Sequence, residues 1–219
     1  MYIKLIAVPL IQQYMGEKDL FSLQSDDYAN YRPTYPEKLY NALIELVPAK
    51  SLAWDVACGT GQATVPLAGH FDRVIGTDLS AQQLSKATSM KNIDYFQASA
   101  EDLGKLQNNI QPGSVDLITV AQALHWFNFD KFYECARSLL KPDGVIAVWA
   151  YTWPEVQGNP KLTKLLHGMA KVVLEPYWDP ERTLVDNQYR DVPFPFERLI
   201  ESLEEPIAVA EQEWDFNHL

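Results

Sequence analysis

Two glycines that follow an apolar run are the first residues whose spacing suggests chemistry. The stretch WDVACGTGQA, residues 54–63, places Gly59 and Gly61 after a predicted buried strand, and the residues after it resemble the start of a helix. Glycine lets a ligand approach main-chain amides without a Cβ in the way, and a helix N-terminus supplies N–H groups and a positive dipole end. This loop predicts a site for an anionic or zwitterionic ligand.

A carboxylate at the end of the next predicted strand extends this site. Asp78, in the stretch GTDLS, lies where an acid can bind ribose hydroxyls, which fits a nicotinamide dinucleotide. Against that ligand, Thr64 stands where the dinucleotide fingerprint has a third glycine, and Pro66 follows in the first helical turn. A tight turn without a ligand is the structural alternative for Gly59 and Gly61.

The composition limits the class of protein. The chain has 219 residues, 47% of them hydrophobic, which is enough for one core with a small appended part. A formal net charge of -11 makes nucleic acid an unfavourable partner, because nonspecific affinity for it comes mainly from lysine and arginine. Cys58 and Cys135 are too few for a disulfide framework or a four-thiolate zinc site, so we expect a reducing compartment, the cytoplasm, and no metal. No stretch reads as a signal peptide or a membrane span.

Strand-like and helix-like segments alternate from residue 37 onward, which predicts an α/β fold with a parallel sheet covered by helices. Beyond the last predicted strand the chain is rich in proline and aromatic residues, which favours a cap over another strand-helix-strand unit. The predicted strands are 51–57, 73–80, 93–98, 115–124 and 145–151, and the main predicted helices are 36–48, 81–90 and 129–140. We divide the chain into an N-terminal extension and lid (1–36), a core (37–151) and a cap (152–219).

Six pieces of the chain, in order, resemble class I S-adenosylmethionine-dependent methyltransferases, and more narrowly the trans-aconitate methyltransferase-like group that acts on small molecules. The pieces are residues 27–39, 54–63, 76–80, 98–103, 114–127 and 139–151. The resemblance implies a doubly wound, mostly parallel, Rossmann-like sheet in the order 3-2-1-4-5, with S-adenosylmethionine across the carboxyl ends of its first two strands. Relatives continue with a helix and an antiparallel strand pair, so the C-terminal part is expected to be shortened. The edge of the fifth strand would then be unpaired, which offers a route to a dimer.

The same resemblance implies a role for each matching residue in cofactor binding. The main chain around Ala57, Gly59 and Gly61 would approach the methionine portion, together with Gln122, and Asp78 would bind the ribose. The other positions implied are Tyr28 and Arg32 in a segment that closes over the cofactor, Ala100 and Glu101 beside the adenine, and Asp55 and Leu79. Ser99 replaces an aspartate found in many relatives, so adenine recognition would rest on the backbone or on Glu101.

The implied function is transfer of a methyl group to a small-molecule acceptor, a carboxylate or a hydroxyl. In-line displacement from a sulfonium needs positioning more than proton transfer, although a hydroxyl acceptor would benefit from a base, for which His125 is the tentative candidate. His125 could instead be a hydrogen-bonded residue that orients a loop. Trp126 and Trp153 are tentative substrate contacts, with plain core packing as the alternative for Trp126.

The tail and the shortened C-terminal part leave other functions open. Arg182, Arg190 and Arg198 are either partners for a substrate carboxylate or members of solvated ion pairs. A catalytically silent S-adenosylmethionine-binding regulatory or partner protein is the main alternative to an enzyme, and a nicotinamide-dependent oxidoreductase is a weaker one. The sequence does not name the acceptor, because that specificity lies in the cap.

Overall fold

A seven-stranded parallel sheet is the frame of the computed structural model, which describes residues 4–11, 35–152, 156, 159–196 and 198–200. The strands are β1 (Lys4–Ile11), β2 (Leu52–Val56), β3 (Arg73–Asp78), β4 (Ile93–Gln97), β5 (Val115–Ala121), β6 (Leu140–Thr152) and β7 (Arg198–Ile200). The α-helices are α1 (Glu37–Leu46), α2 (Thr64–Leu67), α3 (Ala81–Ser85), α4 (Leu103–Gln107), α5 (Phe129–Leu139), α6 (Pro160–Met169) and α7 (Arg182–Asp186).

The order of the strands is β4-β3-β2-β5-β6-β1-β7, and neighbouring strands of the described sheet pair in parallel. The part from β4 to β6 is the predicted order 3-2-1-4-5, which is therefore confirmed. After β2 the chain builds outward in one direction to β4, and it then returns to the other side of β2 to place β5. The carboxyl ends of β2 and β5 consequently flank the switch point, where open α/β sheets bind their ligands.

Both faces of the sheet are covered, as the apolar composition of the strands requires. All five residues of β2, LAWDV, are buried, which is typical of a parallel strand with helices on both sides. Leu39 and Leu43 of α1 pack on one face together with Leu67 of α2. Leu106 of α4 and Phe132 of α5 pack on the other face. The doubly wound architecture is thus present, with one core on each side of the sheet.

Local sequence signals account for the bounds of α1. The helix begins directly after Pro36 and ends at Leu46, two residues before Pro48. Proline lacks the N–H and the conformational freedom that a helix interior needs, so it is tolerated only at such ends. The predicted apolar face at positions 39 and 43 is the buried one.

The two largest differences from the predicted bounds concern α3 and β6. Helix α3 spans only Ala81–Ser85, although Ser80 caps it by accepting the N–H of Gln83 at 3.2 Å. The stretch KPDG, expected to separate a helix from a strand, lies within β6 instead. The pairing of β5 with β6 shifts register between Val115 and Leu117, which accommodates the extra residues as a bulge.

The expectation of an unpaired edge beside the fifth core strand is wrong. The N-terminal strand β1 pairs in parallel with β6 over eight positions, from Lys4 opposite Val145 to Ile11 opposite Thr152. Strand β7 then pairs with the other side of β1. The apolar run at the start of the chain supplies the main-chain partners that the edge of β6 needs, so that edge is not a route to a dimer.

Among the described residues after β6, two short α-helices occur. Helix α6 is followed by a π-helical turn (Ala170–Leu174) and a 3₁₀ turn (Glu175–Tyr177), and α7 comes next. Within the described ranges of the chain, no helix has the length and hydropathy to cross a membrane. The boundaries of the lid, core and cap stay a prediction.

Candidate functional site

Two residues with left-handed backbone lie directly after the strands at the switch point. Ala57 follows β2 with φ 53°, and Gln122 follows β5 with φ 60°. Residues with a Cβ rarely adopt this conformation, and such strain is concentrated at functional sites. Both residues are among those expected to face the methionine portion of the cofactor, and the structure brings them to the same end of the sheet.

The glycine loop after β2 needs glycine for two different reasons. Gly59 has φ 56° and Gly61 has φ 90°, both in the left-handed range. A Cβ on Gly61 would lie 2.5 Å from the hydroxyl oxygen of Tyr95, so this glycine is required by a neighbour from β4. A Cβ on Gly59 would meet only the Gln83 side chain, at 3.9 Å. Of the two glycines, Gly59 is therefore the one whose main chain a ligand could approach closely.

The carboxylate of Asp78 is held by main-chain donors on both of its oxygens. Oδ2 accepts the N–H of Gly59 and Oδ1 accepts the N–H of Ser80, each at 2.8 Å. These bonds fix the carboxylate at the carboxyl end of β3, beside the glycine loop. A carboxylate oxygen has two acceptor positions, so each oxygen can accept a second bond from a ligand hydroxyl.

Asp55 is fully buried in β2, and its side chain forms hydrogen bonds beneath the glycine loop that follows this strand. Its carboxylate accepts the hydroxyl protons of Thr64 at 2.6 Å and Thr119 at 2.7 Å. Burial raises the pKa of Asp55 to about 6, the two threonine bonds lower it, and the nearby charge of Asp78 raises it. A carboxylate buried in this way positions Thr64 and the helix mouth. The structure gives it no exposed surface for a direct contact with the cofactor.

The structure explains why Thr64 stands where the dinucleotide fingerprint has its third glycine. It is the first residue of α2 and it is completely buried, with its hydroxyl on Asp55. A glycine there would leave one of the two donors of that buried carboxylate missing, which costs about 1–3 kcal/mol. The departure from the dinucleotide fingerprint is thus part of the hydrogen bonding beneath the loop.

Gln122 carries a buried polar atom for which a ligand would supply the missing partner. Its main-chain N–H donates to the carbonyl of Trp149 at 2.9 Å, which fixes the residue at the end of β5. Its side-chain Nε2 is buried and has no hydrogen-bond partner in the part of the chain that the structure describes. Buried amides are nearly always paired, so this atom fits a site that receives an acceptor oxygen.

The two residues expected beside the adenine lie on the loop after β4, whereas Leu79, another expected cofactor-binding residue, follows β3. Ala100 is buried, and Glu101 accepts the main-chain N–H of Asn128, the N-cap of α5, at 2.7 Å. The Ser99 hydroxyl accepts the N–H of Glu101 at 3.2 Å. Leu79 is 69% exposed and lies directly after Asp78.

His125 lies in a 3₁₀ turn, Leu124–Trp126, just after β5. Its Nδ1 is 2.8 Å from the hydroxyl oxygen of Tyr189, and its ring lies 4.8 Å from that of Trp126. Trp126 is 49% exposed, so the alternative of plain core packing is wrong for it. The half-buried imidazole and the exposed indole therefore stand together at the carboxyl end of β5.

The other candidates fall into two groups. Tyr28, Arg32 and Trp153 lie outside the described residues, as does the side chain of Arg198. Of the remaining arginines, the Arg182 guanidinium lies 4.1 Å from the centre of the Trp178 ring and 3.5 Å from the Asp186 carboxylate. Arg190 donates to the side-chain oxygen of Gln188 at 2.8 Å. These contacts favour a structural role for both.

Sequence reasoning missed four residues that shape this region, namely Thr64 as a donor, Tyr95, Thr119 and Tyr189. Thr119 could have been suspected as a polar residue in an apolar strand, but its place opposite Asp55 depends on the register of β2 and β5. Tyr189 has no local signal, because its contact with His125 spans 64 positions. No group of three or more potential metal ligands occurs among the residues that the structure describes.

Comparisons with known proteins agree with this geometry. Residues 54–148, from within β2 to within β6, match the family described as a methyltransferase domain. A protein of Dictyostelium discoideum described as a methyltransferase is 38% identical over 182 residues, covering 82% of this chain and 67% of that protein. A protein of Saccharomyces cerevisiae described as an S-adenosylmethionine-dependent methyltransferase is 36% identical over 149 residues, covering 64% of this chain. The chain spans half the length of that yeast relative.

A solved structure shows the same fold. The protein from Anaeromyxobacter dehalogenans, described as a type II methyltransferase, superposes with a TM-score of 0.67 at 35% sequence identity. The match covers 76% of this chain and 68% of that one.

Proposed function

Because the chain belongs to the class I S-adenosylmethionine-dependent methyltransferases, we propose that it methylates a small-molecule acceptor, a carboxylate or a hydroxyl, by in-line transfer. The observation that carries the proposal is the placement of Asp78 on the main chain of Gly59, at the switch point of the sheet. That arrangement joins a carboxylate suited to ribose hydroxyls with a loop whose main chain is approachable.

The residues present fit the cofactor that the family uses. The orphaned Nε2 of Gln122 is a buried donor, which suits a carboxylate or another acceptor oxygen of the methionine portion. Asp78 would accept the ribose hydroxyls, and the exposed side chain of Leu79 offers an apolar surface to the base. Glu101 and the buried Ala100 would border the adenine. Tyr28 and Arg32 stay assigned to the closing segment.

S-adenosylmethionine supplies an activated methyl group on a sulfonium, whose departure leaves a neutral thioether. The protein is left with the tasks of orientation and exclusion of water. The two left-handed residues, Ala57 and Gln122, set the course of the main chain after β2 and after β5, on the two sides of the switch point.

Two features favour a small molecule as the methyl acceptor, namely the net charge of the protein and the side chains that follow β5. A net charge of -11 opposes binding to a phosphodiester backbone. The exposed indole of Trp126 and the imidazole of His125 form a mixed apolar and polar surface, which suits a small amphipathic acceptor. We also assign the protein to the cytoplasm, because both cysteines are buried free thiols.

The test combines binding and turnover. Calorimetry of the full chain with S-adenosylmethionine, S-adenosylhomocysteine and NAD should give micromolar binding of the first two and none of NAD. Transfer of labelled methyl to a panel of small carboxylic acids and alcohols should then identify the acceptor class. Binding without transfer to any acceptor would favour the silent binding protein, and binding of NAD alone would overturn the cofactor assignment.

A further inference from the structure

The local backbone conformation orients the side chain of Tyr189 toward His125. Tyr189 and the preceding Gln188 both have left-handed backbone, with φ 56° and 57°, directly after α7. The main-chain N–H of Tyr189 donates to the carbonyl of Leu184 at 2.8 Å. This strained turn directs the phenol to Nδ1 of His125, 2.8 Å away, and so joins the segment after β6 to the end of β5.

The hydroxyl of Tyr189 needs an acceptor for its proton, and the described part of the chain offers His125. Tyr189 is only 3% exposed, so its hydroxyl does not face bulk water. Among the described residues, Nδ1 of His125 lies within hydrogen-bond distance of the phenol, at 2.8 Å. Burial raises the pKa of Tyr189 above its ordinary value, against a smaller lowering by the main chain of His125, so the phenol keeps its proton. A buried O–H without an acceptor is strongly unfavourable, which favours the arrangement in which the Tyr189 hydroxyl donates to Nδ1.

The direction of this bond determines the state of the imidazole. A ring nitrogen that accepts a hydrogen bond carries no proton, and a neutral imidazole then has its proton on the other nitrogen. With the Tyr189 hydroxyl as the donor, the neutral imidazole of His125 has its N–H at Nε2. That nitrogen can donate a hydrogen bond, but it cannot take a proton from an acceptor hydroxyl.

We propose that Tyr189 is a positioning residue that holds His125 in the Nε2–H tautomer, so that His125 serves the methyl acceptor as a hydrogen-bond donor and not as a general base. The inference rests on the proposed methyl transfer. It corrects the tentative role of His125 as a base and identifies the acceptor as a group that needs no deprotonation, a carboxylate. There, the carboxylate oxygen forms the new O–CH₃ bond as the S–CH₃ bond breaks. The carboxylate charge and the sulfonium charge are both lost, and no proton moves.

The tautomer can be observed without any acceptor. In the full chain labelled with ¹⁵N-histidine, the His125 signals are assigned by their disappearance in His125→Gln. We expect a protonated, pyrrole-type Nε2 and an unprotonated, pyridine-type Nδ1 at neutral pH, and a marked change of the Nδ1 shift in Tyr189→Phe. A pyrrole-type Nδ1 in the wild type would overturn the proposal.

Turnover separates a donor from a base. The glutamine amide can donate in place of Nε2–H but cannot act as a base, so His125→Gln should keep most of the activity. His125→Ala should lose about 10- to 100-fold, the effect of one hydrogen bond to a charged group. Equal losses in both variants would overturn the donor role. His70→Gln, in the turn after α2, is the matched control and should be silent.

Failure of this proposal is distinguishable from failure of the proposed function. Calorimetry with S-adenosylhomocysteine on each variant reports cofactor binding and folding, and it should be unchanged. A wild-type chain that does not bind S-adenosylhomocysteine would contradict the methyltransferase function, whatever the tautomer of His125. A normal affinity with the opposite tautomer would contradict only the role of Tyr189.

Discussion

The Oδ2 atom of Asp78 accepts the main-chain N–H of Gly59 at 2.8 Å, so the end of β3 is tied directly to the loop that follows β2. The bond orders the loop before any ligand binds, and the Ser80 N–H on Oδ1 orients the same carboxylate. The residue that would bind the ribose is thus also the one that shapes the loop. Changes at Asp78 should affect the affinity for the cofactor through both roles.

Replacement of Asp78 by asparagine tests the first relationship. The amide keeps one acceptor oxygen but loses the charge and one of the two main-chain bonds. We expect the affinity for S-adenosylmethionine to fall about 10- to 100-fold, as for the loss of one hydrogen bond to a charged group. Calorimetry measures it, with Asp143→Asn, an exposed acid within β6, as the control. Equal affinities of the Asp78 variant and the wild type would show that Asp78 does not contact the ligand.

Replacement of Gly61 by alanine tests the packing beneath the loop. The new Cβ would meet the Tyr95 hydroxyl at 2.5 Å, and the backbone would keep φ 90° with a side chain present. We expect a loss of at least about 1 kcal/mol in the free energy of unfolding, measured in urea. Gly69→Ala is the control, because its Cβ would meet its nearest neighbour only at 3.6 Å.

A double variant separates the two causes of that loss. Tyr95→Phe removes the closest atom but leaves the ring carbon at 3.4 Å and the left-handed backbone. The Gly61→Ala change should therefore be less destabilising in the Tyr95→Phe background than in the wild type. Additive effects in this cycle would mean that backbone conformation alone requires the glycine.

The core of the fold could be predicted because its signals are local. Apolar runs, glycines at strand ends and prolines around α1 indicate elements and their order without knowledge of distant contacts. The pairing of β1 with β6 could not be read in this way, because it joins residues more than a hundred positions apart. The expectation of an open edge was wrong because it considered only elements after β6.

The residues of the candidate site also differ in whether local sequence signals predict them. Gly59, Asp78 and Gln122 were identified from motifs, and the structure places them at one end of the sheet. The position of Asp55 beneath the loop, bonded to Thr64 and Thr119, depends on the strand register and was not foreseen. Residues expected to bind a ligand belong to short sequence motifs that can be recognised locally. Residues that only support them, such as Thr64 and Thr119, form hydrogen bonds that become visible once the strands are paired.

Removal of β1 should expose the edge that it covers. Deletion of residues 1–11 would leave the N–H and C=O groups of β6 on that side without their strand partner. Exposed strand edges pair with other chains, so we expect self-association that increases with protein concentration. Sedimentation velocity compares the deletion variant with the full chain at equal concentrations. A deletion variant that stays in the same state as the full chain at all concentrations would show that β6 is protected by another segment.

The carboxyl of Asp55 predicts an unusual dependence of stability on pH. Burial raises its folded-state pKa to about 6, whereas the ordinary value is 3.8. Between about pH 4 and pH 6 the folded state therefore binds more protons than the unfolded state, so the contribution of Asp55 is present at low pH and is lost as the pH rises through 6. The free energy of unfolding of Asp55→Asn relative to the wild type should accordingly rise by up to about 3 kcal/mol across that window. Urea unfolding of both proteins at matched pH values measures it, and the difference cancels the other acids. A difference that does not rise in this window, and that falls with rising pH below about pH 4 instead, would mean that the threonine bonds outweigh burial and hold the pKa of Asp55 below its ordinary value.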